Sequence, residues 1–176
     1  MDKNDILSVL KEQKEMQLKG NLYHVTQIQF AYNSNHIEGS TLTEEQTRYI
    51  YETNTLFVED TNSATKVDDI VETSNHFKLV DYMIDVASEI LNESIIKEFH
   101  IILKTGTSDE RKSWFNVGKY KALANEVAEM ATSKPENVTN DMKNLLDMYN
   151  KLEKNTFEDI VKFHSDFEKI HPFQDR

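Results

Sequence analysis

The sequence predicts an all-α fold, and three observations carry that prediction. Only four Gly and two Pro occur in 176 residues, so few positions interrupt regular structure. Apolar residues recur at spacings of three and four along most of the chain, the period of a helix face. At 38% hydrophobic, a chain of 176 residues can bury one core but is short for two, which predicts a single domain over 1–176.

With Gly so scarce, each one reads as punctuation. A first helix carries Ile6, Leu7, Leu10 and Leu18 and is expected to end near Gly20. A second carries Leu22, Val25, Ile28 and Tyr32 and ends near Gly39. Both glycines stand where a left-handed C-terminal cap is wanted. Thr43 and Gln46 have capping-box spacing for a short third helix through Ile50, and the polar stretch Thr53 to Ala64 reads as a loop. A long helix from Lys66 to Leu91 aligns Val67, Ile70, Ser74, Phe77, Val80 and Ile84, and another runs from Ser94 towards Gly106 through Ile95, Phe99 and Ile102. Residues 107–135 lose the helical period and have room for a short hairpin. Periodicity resumes with Met142, Leu145, Leu146, Tyr149 and Leu152, and a last helix opens at Thr156 with Asp159 three residues on, an acidic form of the capping box.

Composition narrows the function. Thirty-one acidic residues against 20 basic give a net charge of −11, which repels nucleic-acid backbones. Cys is absent, so neither a disulfide framework nor a thiolate metal site is available, and a cytoplasmic setting is expected. The stretch Met1 to Leu10 carries Asp2 and Asp5 and lacks a signal-like apolar run, and no segment has the length of a bilayer span. A membrane partner is not expected.

The chemistry concentrates in the last helix. Ile160, His164, Phe167 and His171 fall at steps of four, three and four and share one face. Pro172 stops the helix and pushes His171 out of the right-handed helical region, so His171 opens a loop anchored from below. Phe173 can return to the core as a plug, and Asp175 offers the hard oxygen that Mg²⁺ prefers when it also holds phosphates. His164, on the apolar stripe, reads as a hydrogen-bonded core histidine and not as a ligand. Two His seven residues apart on one helix make no zinc motif. Trp114 and Phe115 read as core packing.

The run His171-Pro172-Phe173-Gln174-Asp175 resembles the start of the signature of the Fic (filamentation induced by cAMP) family, His-Pro-Phe-x-Asp/Asn-Gly-Asn-Gly-Arg-x-x-Arg. His164 and Phe167 are similar to the family's lead-in, Gly118-Lys119-Tyr120-Lys121 to the Gly-x-Tyr-Arg entry of its substrate-docking flap, and Glu72-Thr73-Ser74-Asn75-His76 to a recurrent helix segment. Upstream, Ser34-Asn35-His36-Ile37-Glu38-Gly39 resembles the family's inhibitory pattern Ser/Thr-x-x-x-Glu-Gly/Asn. These pieces stand in the order expected when an inhibitory helix precedes the core.

The resemblance implies a helical bundle with a short β-hairpin flap, divided into N-terminal helices over 1–40 and a core over 41–176. It implies transfer of AMP from ATP to a Ser, Thr or Tyr hydroxyl on a target protein. His171 is then the general base, Phe173 and Asp175 lie at the nucleotide with Asp175 on Mg²⁺, and Lys119, Tyr120 and Lys121 belong to the docking flap. Ser34, Glu38 and Gly39 would regulate, with Glu38 pairing a motif arginine. The family pattern asks for Gly where Arg176 stands and then continues through residues these 176 do not include. The expectation is therefore a core lacking its last helices and its anion hole, autoinhibited by Glu38 in complete form and inactive as given. Self-modification and homo-oligomers are compatible with the sequence. The alternative from another class is a catalytically dead module that binds a protein segment or a second copy of itself. An acidic residue in the last turn of a helix, as at Glu38, is mildly unfavourable, which tilts that position towards a role beyond a cap.

Overall fold

In a computed structural model, residues 3–57, 64–127 and 130–174 are described. The described residues hold seven α-helices and one two-stranded ladder: α1 Lys3–Met16, α2 Leu22–Ile37, α3 Glu44–Thr53, α4 Val67–Val86, α5 Glu93–Lys104, β1 Glu126–Val127, β2 Met130–Ala131, α6 Pro135–Asn150 and α7 Phe157–Ile170. They group into two compact units, Met1–Glu89 with Ile102–Ser108, and Ile90–Ile101 with Asp109–Arg176. Among the described residues no helix is long and apolar enough to cross a membrane.

In the first unit α2 packs against α1, α3 and α4. Tyr23, Val80 and Ile84 form its apolar centre, with Leu7, Leu10, Phe30 and Tyr51 around them. A polar knot completes it: Tyr23 Oη and Gln27 Nε2 both donate to Asp81 Oδ1, at 2.6 and 2.9 Å. Burial, then the Asp81 carboxylate, drives the Tyr23 phenol far above its ordinary range. The helix ends follow their sequence signals unevenly. α1 stops at Met16, short of Gly20, because Gln17 itself takes the left-handed turn at φ 54° and leaves Leu18 outside the helix and exposed. α2 closes as expected: Gly39 at φ 86° donates to His36 O, and Ser40 N–H reaches back to Asn35 O, the paired bonds of a Schellman cap. Thr43 and Gln46 make the expected capping box on α3, which runs on to Thr53.

α4 departs most from its apolar reading. Val67 is 72% exposed, whereas the buried positions of its first half are Asp69, Thr73, Asn75 and His76. Each is spent on a hydrogen bond. Thr41 N–H donates to Asp69, Asn35 Nδ2 to Thr73 Oγ1, and Asn75 Nδ2 to the carbonyls of Leu103 and Thr105. His76 Nδ1 meets Glu72 O at 2.9 Å. α4 also ends at Val86, before the expected Leu91.

The second unit is built on Ile96, Val138, Met142, Leu145, Leu146, Ile170 and Phe173, with Leu91, Tyr120, Phe163 and Phe167 packed against them. Pro135 starts α6, where its missing N–H costs nothing. Asn92 caps α5 by accepting from Ile95 N–H at 3.1 Å. α7 opens on the predicted box, Thr156 and Asp159 each satisfying the other's backbone N–H. β1 and β2 pair antiparallel, Glu126 opposite Ala131 and Val127 opposite Met130.

Candidate functional site

The candidate site lies at the end of α7. His171 caps the helix with φ 47° and ψ 69°, in the left-handed region, while its N–H still donates to Phe167 O at 2.8 Å. Pro172 excludes the right-handed conformation for its neighbour, as expected. The outcome is a left-handed turn, which costs a non-Gly residue about 1–2 kcal/mol. Strain of this size persists only where the surroundings over-determine the backbone.

The surroundings do so through residues 118–125. Lys121 N–H donates to Pro172 O at 2.8 Å, Asn125 Nδ2 to Phe173 O at 3.2 Å, and Leu123 N–H to Gln174 Oε1 at 3.1 Å. Ser133 N–H adds a bond to Lys169 O in the last turn of α7. Pro172, Phe173 and Gln174 are all buried, so the loop is sealed against its neighbour segment. The His171 side chain is partly open at 18% exposure, with Nδ1 4.0 Å from a Glu168 carboxylate oxygen. At that distance Glu168 contributes a screened field and no orienting hydrogen bond.

Phe173 is the plug the sequence suggested, 7% exposed, its ring parallel to His100 with centroids 4.2 Å apart and tilted against Tyr120 at 5.8 Å. The ring is thus used in the core, and any share Phe173 takes in holding a nucleotide falls to its backbone. His100 Nδ1 in turn accepts the Gly118 N–H at 2.9 Å, which assigns the acceptor role to that nitrogen. Gly118 is required twice over: its φ is 72°, and a Cβ there would overlap the Ile101 side chain. Tyr120 lies beneath Lys97, whose Nζ is 4.2 Å from the ring centre. Burial, followed by the charge of Glu93, raises its phenol well above the ordinary range.

The three flap residues named from sequence therefore diverge. Lys119 is exposed, Tyr120 is half-buried, and Lys121 is 3% exposed and turned inward. His164 is also corrected: it is exposed, because the α7 stripe that carries it, with Ile160 50% exposed, is not covered by the described residues. Trp114 is 46% exposed, so only Phe115 of that pair belongs to the core. Asp175 and Arg176 lie outside the described residues. In the first unit, Glu38 is the exposed last residue of the α2 cap, its N–H bonded to Ser34 O at 3.3 Å, with Gly39 turning the chain behind it. Sequence reading missed Gln174, Asn125, Thr132 and His100. Of these only His100 gave a signal, four residues after Ile96 on the buried face of α5.

Residues 90–175 match the model of the Fic/DOC family. No curated protein matches the chain significantly. Among solved structures, a Fic domain containing signaling protein from Bacteroides thetaiotaomicron is similar at 24% identity and a TM-score of 0.72, covering 97% of this chain and 66% of that one. A Fic family protein from Desulfovibrio desulfuricans gives 22% and 0.72, and Fic-1 from C. elegans 18% and 0.68, each over 98% of this chain and 52% of the other. At these identities the likeness shows the fold, and the chain spans between half and two thirds of each relative. Its helical architecture is that of Fic proteins, and residues 90–175, just under half of the chain, match the Fic/DOC family model.

Proposed function

We propose that the protein carrying this chain is an adenylyltransferase that moves AMP from ATP to a Ser, Thr or Tyr hydroxyl of a target protein. The observation that supports it is the placement of His171: partly open, at a left-handed turn, on a loop whose backbone is bonded on one side to residues 121–125. In this reading the imidazole takes the hydroxyl proton. The freed oxygen forms a bond to the α-phosphorus, and the bond from that phosphorus to the departing pyrophosphate breaks. The segment around Lys119 and the β1–β2 ladder would hold the target backbone by strand-like pairing, so that its hydroxyl lies in line.

Among the described residues no group of three or more His, Cys, Asp or Glu could cage a metal. In its usual nucleotide role Mg²⁺ is held by one or two carboxylates together with the phosphates, and Asp175 would supply a carboxylate. Bound there, the ion would neutralise phosphate charge. The anion-binding glycines and the arginines of the family motif are not among these 176 residues, so the reading concerns a protein in which that motif is complete. Glu38 is its brake: the exposed carboxylate at the end of α2 would compete with the nucleotide for a motif arginine, admitting ATP in an unreactive pose.

Intact mass spectrometry tests the reading. Wild type, Glu38→Gly and His171→Ala forms, in this chain and in a version with the motif completed, are incubated with ATP and Mg²⁺. An AMP adduct that grows in Glu38→Gly and vanishes with His171→Ala is expected of the completed form. A completed form whose adduct survives His171→Ala overturns the assignment of the base, and one indifferent to Glu38→Gly overturns the brake.

A second reading, a module that binds a protein segment or another copy of itself without transferring anything, is favoured by the apolar side chains along α7. Phe157 is 75% exposed, and Ile160 and Val161 are each 50% exposed. Concentration-dependent sedimentation, unaffected by His171→Ala or by nucleotide, would support it.

A further inference from the structure

Lys121 carries more than its place in a docking segment. A buried ammonium gives up its hydration and persists only if its donors are taken. Here all three are. Nζ donates to Ile170 O at 3.1 Å, to Asn125 Oδ1 at 2.6 Å and to Thr132 Oγ1 at 2.6 Å. These acceptors are uncharged, and Ile170 O belongs to the C-terminal end of α7, where the helix dipole favours a cation. Burial also holds this ammonium below the ordinary lysine range.

The positions of those acceptors give the arrangement its meaning. Asn125 immediately precedes β1 and Thr132 immediately follows β2, so the ammonium joins both flanks of the ladder; Thr132 Oγ1 also bonds Asn125 directly. Ile170 immediately precedes His171. The same lysine's N–H reaches the carbonyl of Pro172, the residue immediately after it. One side chain and its own backbone therefore hold the peptide on either side of the candidate base, while the ammonium fixes the ladder to it. Three donors fanning from one nitrogen suit three acceptors that converge from different segments, where a planar guanidinium would favour two in its plane.

We propose that Lys121 is a positioning residue, registering the β1–β2 ladder against the left-handed turn at His171 through a single buried ammonium. Its functional meaning rests on the transferase reading, in which the ladder places the hydroxyl and His171 takes its proton; its geometry does not.

Hydrogen exchange on the full chain tests it, with wild type, Lys121→Met, Lys121→Arg and Thr132→Val. The reporters are the amides of Leu123, Ser133 and His171, which donate to Gln174, Lys169 and Phe167. The controls are those of Leu145 and Leu146 within α6. In Lys121→Met the three reporters should exchange at least about tenfold faster while the α6 amides keep their protection, with Lys121→Arg regaining part of the loss. Unchanged reporters overturn the proposal. So does equal acceleration of α6, which is what loss of a merely structural contact would give. Should Lys121→Met fail to fold, Thr132→Val keeps the cation and the Asn125–Phe173 bond and removes one acceptor of the ammonium together with the Thr132–Asn125 bonds; it must loosen Ser133 and His171 to a smaller degree, and an unaltered pattern overturns the strap. An ATP and Mg²⁺ transfer assay on the motif-completed protein separates the two ideas. The expected exchange pattern without transfer sinks the transferase reading and leaves the strap, whereas transfer with unaltered exchange does the reverse.

Discussion

Gly118→Ala isolates the point on which residues 118–125 hang. The backbone there has φ 72°, and moving an L side chain into that region costs about 1–2 kcal/mol. The new Cβ would overlap Ile101 Cγ1 and lie 2.6 Å from its Cδ1, with Lys97 O at 3.8 Å. Forcing a methyl into a filled space typically costs a further ~1–3 kcal/mol. The sum, about 2–5 kcal/mol, is a large fraction of an ordinary domain's stability. The two causes can be separated, because only one of them involves Ile101. That side chain is 36% exposed, so Ile101→Ala alone should cost less than the roughly 2–5 kcal/mol of a buried truncation. In the double variant the overlap disappears and the left-handed cost stays. Urea denaturation of the four proteins should therefore show the pair destabilised by about 1–3 kcal/mol less than the sum of the singles. Additivity within about 0.5 kcal/mol would refute the reasoning, since it would mean that Gly118 is needed for its conformation alone and that α5 sets no limit on where the segment lies.

Two further outcomes follow from the same site. His171→Gly should stabilise the chain by about 1 kcal/mol in chemical denaturation, by relieving a left-handed non-Gly residue, and should abolish transfer in the motif-completed protein; a destabilised glycine variant would show that the imidazole's contacts outweigh the strain. Lys121 gives a pH signature. Its folded-state pKa lies below the ordinary lysine value, so between the two the unfolded chain binds more protons, and stability contributed at this position rises with pH across that window. The stability of wild type minus that of Lys121→Met should therefore climb with alkaline pH, by at most about 1.4 kcal/mol per pH unit, and a flat difference would show that burial imposes no penalty on the charge.

Most of the fold was legible because its signals are local. Capping boxes at Thr43 and Thr156, the Gly39 turn and the Pro172 stop each act within a few residues, and each stands where the sequence put it. The α4 reading went astray for a nonlocal reason. Apolar periodicity assumes that buried means apolar, yet Asp69, Thr73 and Asn75 are buried because other segments end there with backbone or side-chain groups to satisfy. Gln13 is a similar case, its Oε1 accepting the Tyr23 N–H at the start of α2. Nothing in the spacing of a polar residue announces which distant group it will meet. His164 fails in the opposite sense: its stripe is apolar and helical in period, but a stripe marks what can be buried and not what covers it.

The site repeats this division at closer range. His171 and Phe173 could be placed from the chain alone, since a helix, a proline and an aromatic suffice to present one side chain and bury the other. Their holding partners could not. Gln174 looks like an arbitrary polar residue between Phe173 and Asp175, and its meaning comes from Leu123, 51 positions away, whose N–H it accepts. Lys121 shows why this matters for function. A lysine in a docking segment reads naturally as a surface contact, and on that reading its loss would weaken target binding alone. Buried against Ile170 O, it instead links the β1–β2 ladder to the turn at His171, so its loss should disturb both at once. The difference is invisible in the sequence because Asn125, Thr132 and Ile170 become neighbours of one nitrogen only after α7 has folded back onto residues 121–125. For the same reason, substitutions at Asn125 or Thr132 belong with His171 when variants of this protein are grouped by effect, although neither residue touches the imidazole.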